Sequence, residues 1–581
     1  MIMKIFISLL LLIPFCISAQ VGTGTITPKG ILDITSENAG LVVPRVTKIE
    51  DVTDGNGNDP VDGTVVYDIS RDQTCFRIDG SWICTCDDSG NPMLGVTRPP
   101  FSSNSNYLKS SNSETGDQFG YTVSISEDGT RLAVTAASED SNATGIGGNQ
   151  GNNAASASGA VYIFKRDGLV WSQEAYIKAS NSEANDSFGT AICLSDDGTR
   201  LAVTAYGEDS NATGINGNQT DNSANVSGAV YIFIRSGSTW TQEAYIKSSN
   251  SEAGDSFGNG INISMSADGS RLAVGSYRES SNATGVNGNQ FNNSSSESGA
   301  AYVFSRNGTT WTQEAYLKAS NTGAGDHFGR VLDLSGDGTR LAVGATQERS
   351  NTTGINGNQN DNSASRAGAV YVFFRSGTTW TQEVYIKGSN TKVSNLFGTA
   401  LSFDYDGSRL AASAALEDGP SSGINGSQTQ AGSFDDYGAV YMFSRNGATW
   451  TQEAYIKASN PDLDDEFGAT VSLSKYGSKL AVGSRREGSN ATGINGNQSN
   501  NSAAVSGATY VFNRCGNAWV QESYVKASNP ETGDYSGVVS LSADGLYLAF
   551  GALGESSNAT GINGNQSDNS ATQSGAVYIV E

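Results

Sequence analysis

Residues 105 to 581 repeat one phrase seven times, and no other feature restricts the fold as tightly. One copy runs YIKASNSEANDSFGTAICLSDDGTRLAVTAYGEDSNATGINGNQTDNSANVSGAVYIFIRSGSTWTQEA, from Tyr176 to Ala244. A Phe-Gly pair marks the register: Phe119, Phe188, Phe257, Phe328, Phe397 and Phe467 each precede a glycine, and Ser536-Gly537 holds the seventh place. Successive differences are 69, 69, 71, 69, 70 and 69 residues. A fixed period of this length with four strand-like segments per unit is the pattern of propeller blades.

Turn chemistry places the strands inside a unit. Thr190 to Ser195 reads as strand A, and Asp197-Gly198 as a tight hairpin turn into strand B, Arg200 to Ala205. Gly228 to Ile234 is strand C, Ser236-Gly237 another turn signal, and Trp240 to Ser248 strand D. Strands B and C are nearly unbroken apolar runs, as expected of sheets covered on both faces. Strand D is mixed, with Thr241, Glu243 and Lys247 on one side, which suits an outer edge where charge discourages further pairing. The last copy stops after strand C, while Asn106-Tyr-Leu-Lys-Ser110 matches strand D ahead of the first copy. The expected fold is therefore an all-β, seven-bladed propeller of four-stranded blades, closed by an N-terminal strand that completes the last blade.

The Phe-Gly start, the Gly-Ala at the end of strand B (Gly344-Ala345, Gly551-Ala552) and the GAVYIF-xR-xGxxWTQ ending resemble the FG-GAP repeats of integrin-alpha-type propellers. The likeness covers roughly residues 105 to 581; Thr346 and Leu553 stand where that family's proline would be. It implies a binding or adhesion role, and calcium as the cofactor to consider, since many such repeats hold the ion in an Asp/Asn-rich loop between strands A and B. Here that place carries Glu127-Asp128-Gly129, Asp196-Asp197-Gly198 or Ala267-Asp268-Gly269, and Lys475-Tyr476-Gly477 has no acid. The metal ligands are left unassigned.

Ahead of the repeats the chain changes character. Met1 to Ala19 reads as a secretory signal peptide, with Lys4, an apolar run from Ile5 to Ile17 and a small-residue end; it is too short for a good membrane span. Residues 20 to 100 form a small β-rich module and linker, and the propeller occupies 101 to 581. Gly30-Ile-Leu-Asp-Ile-Thr-Ser36 and Gly40-Leu-Val-Val-Pro-Arg45 resemble an N-terminal module of bacterial surface and tail-fibre-like proteins. Cys75 to Cys84 reads as a hairpin about Asp79-Gly80, in which Cys75 faces Cys84, a candidate disulfide with Cys86 as the competing partner. Cys193 and Cys515 fall in different blades and are expected not to bond. The expected location is secreted or cell-surface.

The long loop from B to C carries the candidate chemistry. Glu139, Glu208, Glu279, Glu348, Glu417, Glu487 and Glu555 recur at one place in it, and Gln150, Gln219, Gln290, Gln359, Gln428, Gln498 and Gln566 at another, with Gly-Ile-Asn-Gly or a close variant between. In a propeller these loops share one face, so seven glutamates would ring it, with Asp140, Asp209 and Asp418 adding charge. Two readings stand: a ligand- or cation-binding face, or glutamates that accept N–H bonds from their own loops. Six aspartates two residues before the Phe of the register, or before its replacement (Asp117, Asp186, Asp255, Asp326, Asp465, Asp534), read as turn caps. Blade five breaks the symmetry: its loop lacks the Ser-Asn-Ala-Thr phrase and Asn395 replaces the aspartate.

Asp+Glu number 59 against 35 Lys+Arg, a net charge of -24 that repels nucleic acid and anionic membrane. Extracellular proteins and glycans remain as partners. The first function class is a non-catalytic secreted or surface binding protein. The second is a propeller enzyme acting on polysaccharide through paired carboxylates. The single histidine, His327, sits where other copies have Gln118, Ser187 or Leu396, so it supports no shared mechanism.

Overall fold

The computed structural model describes residues 45–46, 52, 64–68, 73–78, 81–84, 101 and 105–581 other than 261, 431–434 and 517. The chain divides into two compact units, one of residues 1–87 and 91–96, the other of 88–90 and 97–581. In the first, Arg45–Val46 pairs parallel with Val65–Asp68, which pairs antiparallel with Gln73–Ile78, which in turn pairs with Ser81–Cys84. Cys75 faces Cys84 and Ile78 faces Ser81, the expected hairpin register. The signal segment and the Asp79-Gly80 turn lie outside the described residues.

The second unit is a ring of seven four-stranded antiparallel sheets. Blade 2 is typical: strand A is Phe188–Leu194, B Arg200–Ala205, C Ala229–Ser236 and D Thr239–Ile246. The A-to-B connection is wider than the expected two-residue hairpin. Ser195 N–H bonds Arg200 O at 2.9 Å, and Asp197 organises the four residues between by accepting from Ser195 Oγ (2.6 Å) and Thr199 N–H (2.9 Å). Strand C runs on to Ser236, which faces Thr239, so the two-residue turn is Gly237-Ser238.

The ring closes as the repeat boundaries imply. Blade 7 contributes Ser536–Leu541, Leu548–Ala552 and Ala576–Val580, and its fourth strand is Ser105–Leu108, with Tyr578 opposite Tyr107. Core residues form seven clusters, one across each blade-to-blade interface. The Phe of the register anchors them: Phe188 packs edge-on against Tyr231 at 5.4 Å and Phe233 at 6.1 Å. The glycine that opens strand C is required by the interface. Gly228 has φ +79°, and a Cβ there would lie 2.1 Å from the carbonyl oxygen of Phe257 in the next blade.

Strand D corrects one expectation. Lys247 does not guard an exposed edge; it is fully buried. The edge is instead covered by backbone, because Gly-Ile-Asn-Gly, or its close variant in blades 1 and 3, folds back onto strand D in every blade, bridging Ile215 to Ile246 in blade 2 and Ile562 to Leu108 in blade 7. Asn216 donates its N–H to Tyr245 O at 2.7 Å, and its side-chain Oδ1 accepts the Tyr245 N–H at 2.9 Å. The repeated motif thus satisfies the polar groups an outer strand would leave open.

Candidate functional site

The seven glutamates do form a ring, but an interior one. Each is at most 1 % exposed. In blade 2, Glu208 Oε2 lies 2.8 Å from Lys247 Nζ, and its Oε1 accepts from Tyr245 Oη (2.8 Å) and Asn181 Nδ2 (3.0 Å). Tyr231 Oη in turn donates to Asn181 Oδ1 at 2.5 Å. The same Lys–Glu contact, 2.7 to 2.9 Å, recurs as Lys178–Glu139, Lys318–Glu279, Lys387–Glu348, Lys457–Glu417, Lys526–Glu487 and Lys109–Glu555. The last of these ties the N-terminal closing strand to blade 7. Burial pulls each lysine below its ordinary value, against the pull of its glutamate, and burial pushes the paired tyrosines well up.

Of the two readings these contacts favour the second over a ligand or cation face, since Glu139, Glu348, Glu417 and Glu487 also accept an N–H from their own loop at 3.0 to 3.2 Å. The glutamates are committed to lysine, tyrosine and asparagine partners inside each blade and present no free carboxylate to solvent. The added acids serve their loops as well: Asp140 accepts the Ala157 N–H and Asp209 the Val226 N–H at 2.7 Å, and Asp418 that of Asp435 at 2.9 Å. The repeated glutamines clamp the neighbouring D-to-A loop, as where Ser180 Oγ donates to Gln219 Oε1 at 2.6 Å.

The six register aspartates cap their turns. Asp186 accepts the Glu183 N–H at 2.9 Å, and the other five repeat that contact. Burial, helped by the nearby glutamate, pushes Asp117 up to about 8 and Asp186, Asp255, Asp326, Asp465 and Asp534 up to about 7. His327 takes part in a local contact only, with Nδ1 2.9 Å from Gln347 Nε2 and Nε2 3.2 Å from Glu297. Cys193 is a free thiol, so it makes no bond to Cys515.

Sequence reasoning missed the centre of the ring. The residues that follow strand A join around it through backbone hydrogen bonds of 2.8 to 3.1 Å: Glu127 N–H to Asp196 O, Asp196 to Ala267, Ala267 to Gly336, Asp337 to Tyr405, Tyr405 to Lys475, Lys475 to Ala543, and Ala543 back to Glu127. Above this girdle is a cavity of about 210 Å³. Lys475, from the turn without an acid, reaches Glu127 at 2.5 Å and Asp196 at 3.7 Å and lies 4.5 Å over the Tyr405 ring. Asp333, half-buried in the wall, accepts from Ser264 Oγ at 2.9 Å and Phe403 N–H at 2.6 Å, and loss of solvation pushes it up to about 6. Comparing the seven copies at the turn position would have paired Lys475 with its acids. In the turns themselves the aspartates bind their own loops: burial opposes ionisation of Asp128, but donors from Ser126 and Thr130 hold it below its usual value. Among the described residues, no group of three or more His, Cys, Asp or Glu is placed to hold a metal ion.

The FG-GAP repeat family matches residues 171–233, 240–304 and 311–373, each match starting in strand D of one blade and ending in strand C of the next. Residues 171 to 373 carry FG-GAP repeats. A second family, described as a phage tail like trimerisation region, matches residues 20–93. Comparison with curated proteins returns no match. Among solved structures, the beta-propeller domain of Myceliophteria thermophila Cps50 (Swd1) aligns at 9% identity over 83% of this chain and 99% of that one, with a TM-score of 0.44. The periplasmic gluconolactonase PpgL of Pseudomonas aeruginosa aligns at 13% identity over 74% and 97%, with a TM-score of 0.40. At such scores neither decides the chemistry of this propeller, which has to be read from its own loops. Among the described residues no helix is long and apolar enough to cross a membrane.

Proposed function

We propose that this FG-GAP propeller is a non-catalytic secreted or cell-surface binding protein, joined as a trimer through residues 20–93, that presents its repeated loops to a protein or glycan. The observation that carries this reading is the outer surface of the B-to-C loop. Its base is fixed by the buried Lys–Glu pair and by the edge cap, while Asn211, Thr213, Asn216, Asn218, Thr220, Asn222 and Ser223 stand exposed. A rigid, amide- and hydroxyl-rich face repeated around a ring suits recognition of polar partners at low ordering cost. The repeated glutamates, held in ion pairs, offer no open pair for acid–base work.

Trimerisation would convert weak single contacts into avidity, a gain of about 10²-fold or more when geometry allows simultaneous engagement. Light scattering of the full chain is expected to give three times the chain mass, and residues 97–581, a compact unit with its own core, one chain mass. On a surface of immobilised glycans or matrix proteins the trimer should be retained and the single propeller should wash off. A monomeric full chain, or turnover of a polysaccharide without retention, would overturn the reading.

A further inference from the structure

The edge cap is broken in one blade. In six blades an asparagine of the Gly-Ile-Asn-Gly turn accepts the N–H of the strand D tyrosine at 2.9 to 3.0 Å: Asn216, Asn287, Asn356, Asn425, Asn495 and Asn563. Blade 1 reads Gly145-Ile-Gly-Gly148, so Gly147 stands in the asparagine's place. The backbone half of the cap persists, with Gly147 N–H on Tyr176 O at 2.9 Å and Lys178 N–H on Gly145 O at 2.8 Å. The side-chain half is missing, and among the described residues no acceptor meets the Tyr176 N–H.

Three linked features mark the same spot. A cleft of about 340 Å³ opens there, lined by Ile146, Gly147, Gln150, Gln173 and Tyr176 of blade 1 and Thr239 of blade 2, among others. Ile146 is 40 % exposed, whereas its counterparts in the other blades are half-buried. Ala175 is half-buried, whereas Ala244, Ala315, Val384, Ala454 and Ser523 at the same place in blades 2 to 6 are buried.

We infer that this cleft binds the acetamido group of an N-acetylated amino sugar. The fragment missing from blade 1 is a CH₂–CO–NH₂ group, and an acetamido group offers the same carbonyl with a methyl in place of the methylene. Its carbonyl takes the Tyr176 N–H, its methyl packs on Ile146 and Ala175, and the sugar hydroxyls meet the hydroxyl of Thr239 and the amide atoms of Gln150 and Gln173 that their contacts with Ser111 leave open. An edge donor placed to meet an acceptor favours sugars that carry one over sugars that lack it. The inference names a ligand class within the binding role proposed above and rests on that role only in treating the propeller as the ligand-presenting body.

Saturation-transfer NMR on the full chain with N-acetylglucosamine tests it, with glucose and N-acetyl-lysine as controls. The expected result is saturation of the acetyl methyl, binding of about 1 mM, and none for either control. Gly147→Asn supplies the missing side chain from within; the backbone there has φ +69° with nothing within 4 Å of a Cβ, and Asn216 holds φ 55° at the equivalent place, so the variant folds and is expected to abolish the signal. Asn216→Gly should open a second cleft and raise the saturation about twofold. No methyl saturation with the wild type, or a signal unchanged in Gly147→Asn, overturns the inference. Equal saturation of N-acetyl-lysine overturns the assignment to a sugar. If Gly147→Asn still binds immobilised glycans as a trimer while the methyl signal is absent from the wild type, the binding role stands and this site falls.

Discussion

A lysine with no solvent around it survives only because a carboxylate meets it, and this chain does so seven times, with a serine hydroxyl joining in five. Removing one partner leaves the other charge buried and bare, so Lys247→Met is expected to cost about 3–5 kcal/mol in denaturant unfolding, and the double change Lys247→Met with Glu208→Leu clearly less. The register aspartates give a pH dependence. Their carboxyls sit at about 7 to 8 in the fold against about 3.9 in an unfolded chain. The folded state therefore binds protons that the unfolded chain has released, so this contribution is full below about pH 4 and is lost as pH rises through 7 to 8. The lysines, pulled down from their ordinary value, act with the opposite sign at the alkaline end. The melting temperature should fall from pH 5 to pH 8.5, and Asp186→Asn, the residue type blade 5 already has at Asn395, should shrink that fall without lowering the pH 5 value.

At the scale of the element, each blade solves two separate problems with short motifs. The Phe-Gly of one blade and the glycine opening strand C of the blade before it meet so closely that no side chain fits between. Gly228→Ala, which adds a Cβ at positive φ against the Phe257 carbonyl, is expected to destabilise by roughly 2 kcal/mol or more, read by chemical unfolding. The Gly-Ile-Asn-Gly turn closes the outer edge. The A-to-B turns bind their own aspartates, so the transition midpoint of residues 97–581 should be the same with millimolar calcium and with chelator; a large calcium-dependent rise would instead place an ion in the fold.

For the whole molecule, closure is a matter of four residues. Ser105–Leu108 complete blade 7 and bring Lys109 to Glu555. Removing residues 101–110 would leave Ala576–Val580 as a raw edge and Glu555 buried without its cation. Such a chain is expected to aggregate or to lose its cooperative transition, seen in size-exclusion chromatography and thermal scans. The backbone girdle around the axis shares this dependence, since each of its bonds joins one blade to the next.

Period, turn residues and the orphan half-copies at each end determined the seven blades and the closing strand, because strand pairing within a blade is local and every copy restates it. The same repetition hid the roles of the side chains. Glu208 and Lys247 are 39 residues apart, and only the folded blade places one against the other and removes both from water. Lys475 finds Glu127 across the ring from 348 residues away. The ring of glutamates was therefore legible as a ring and not as an interior one, because exposure is set by how loops lie over strand ends. Gly147 was a minor variant in the sequence; it became a site only when the tertiary structure showed which N–H the other six asparagines satisfy.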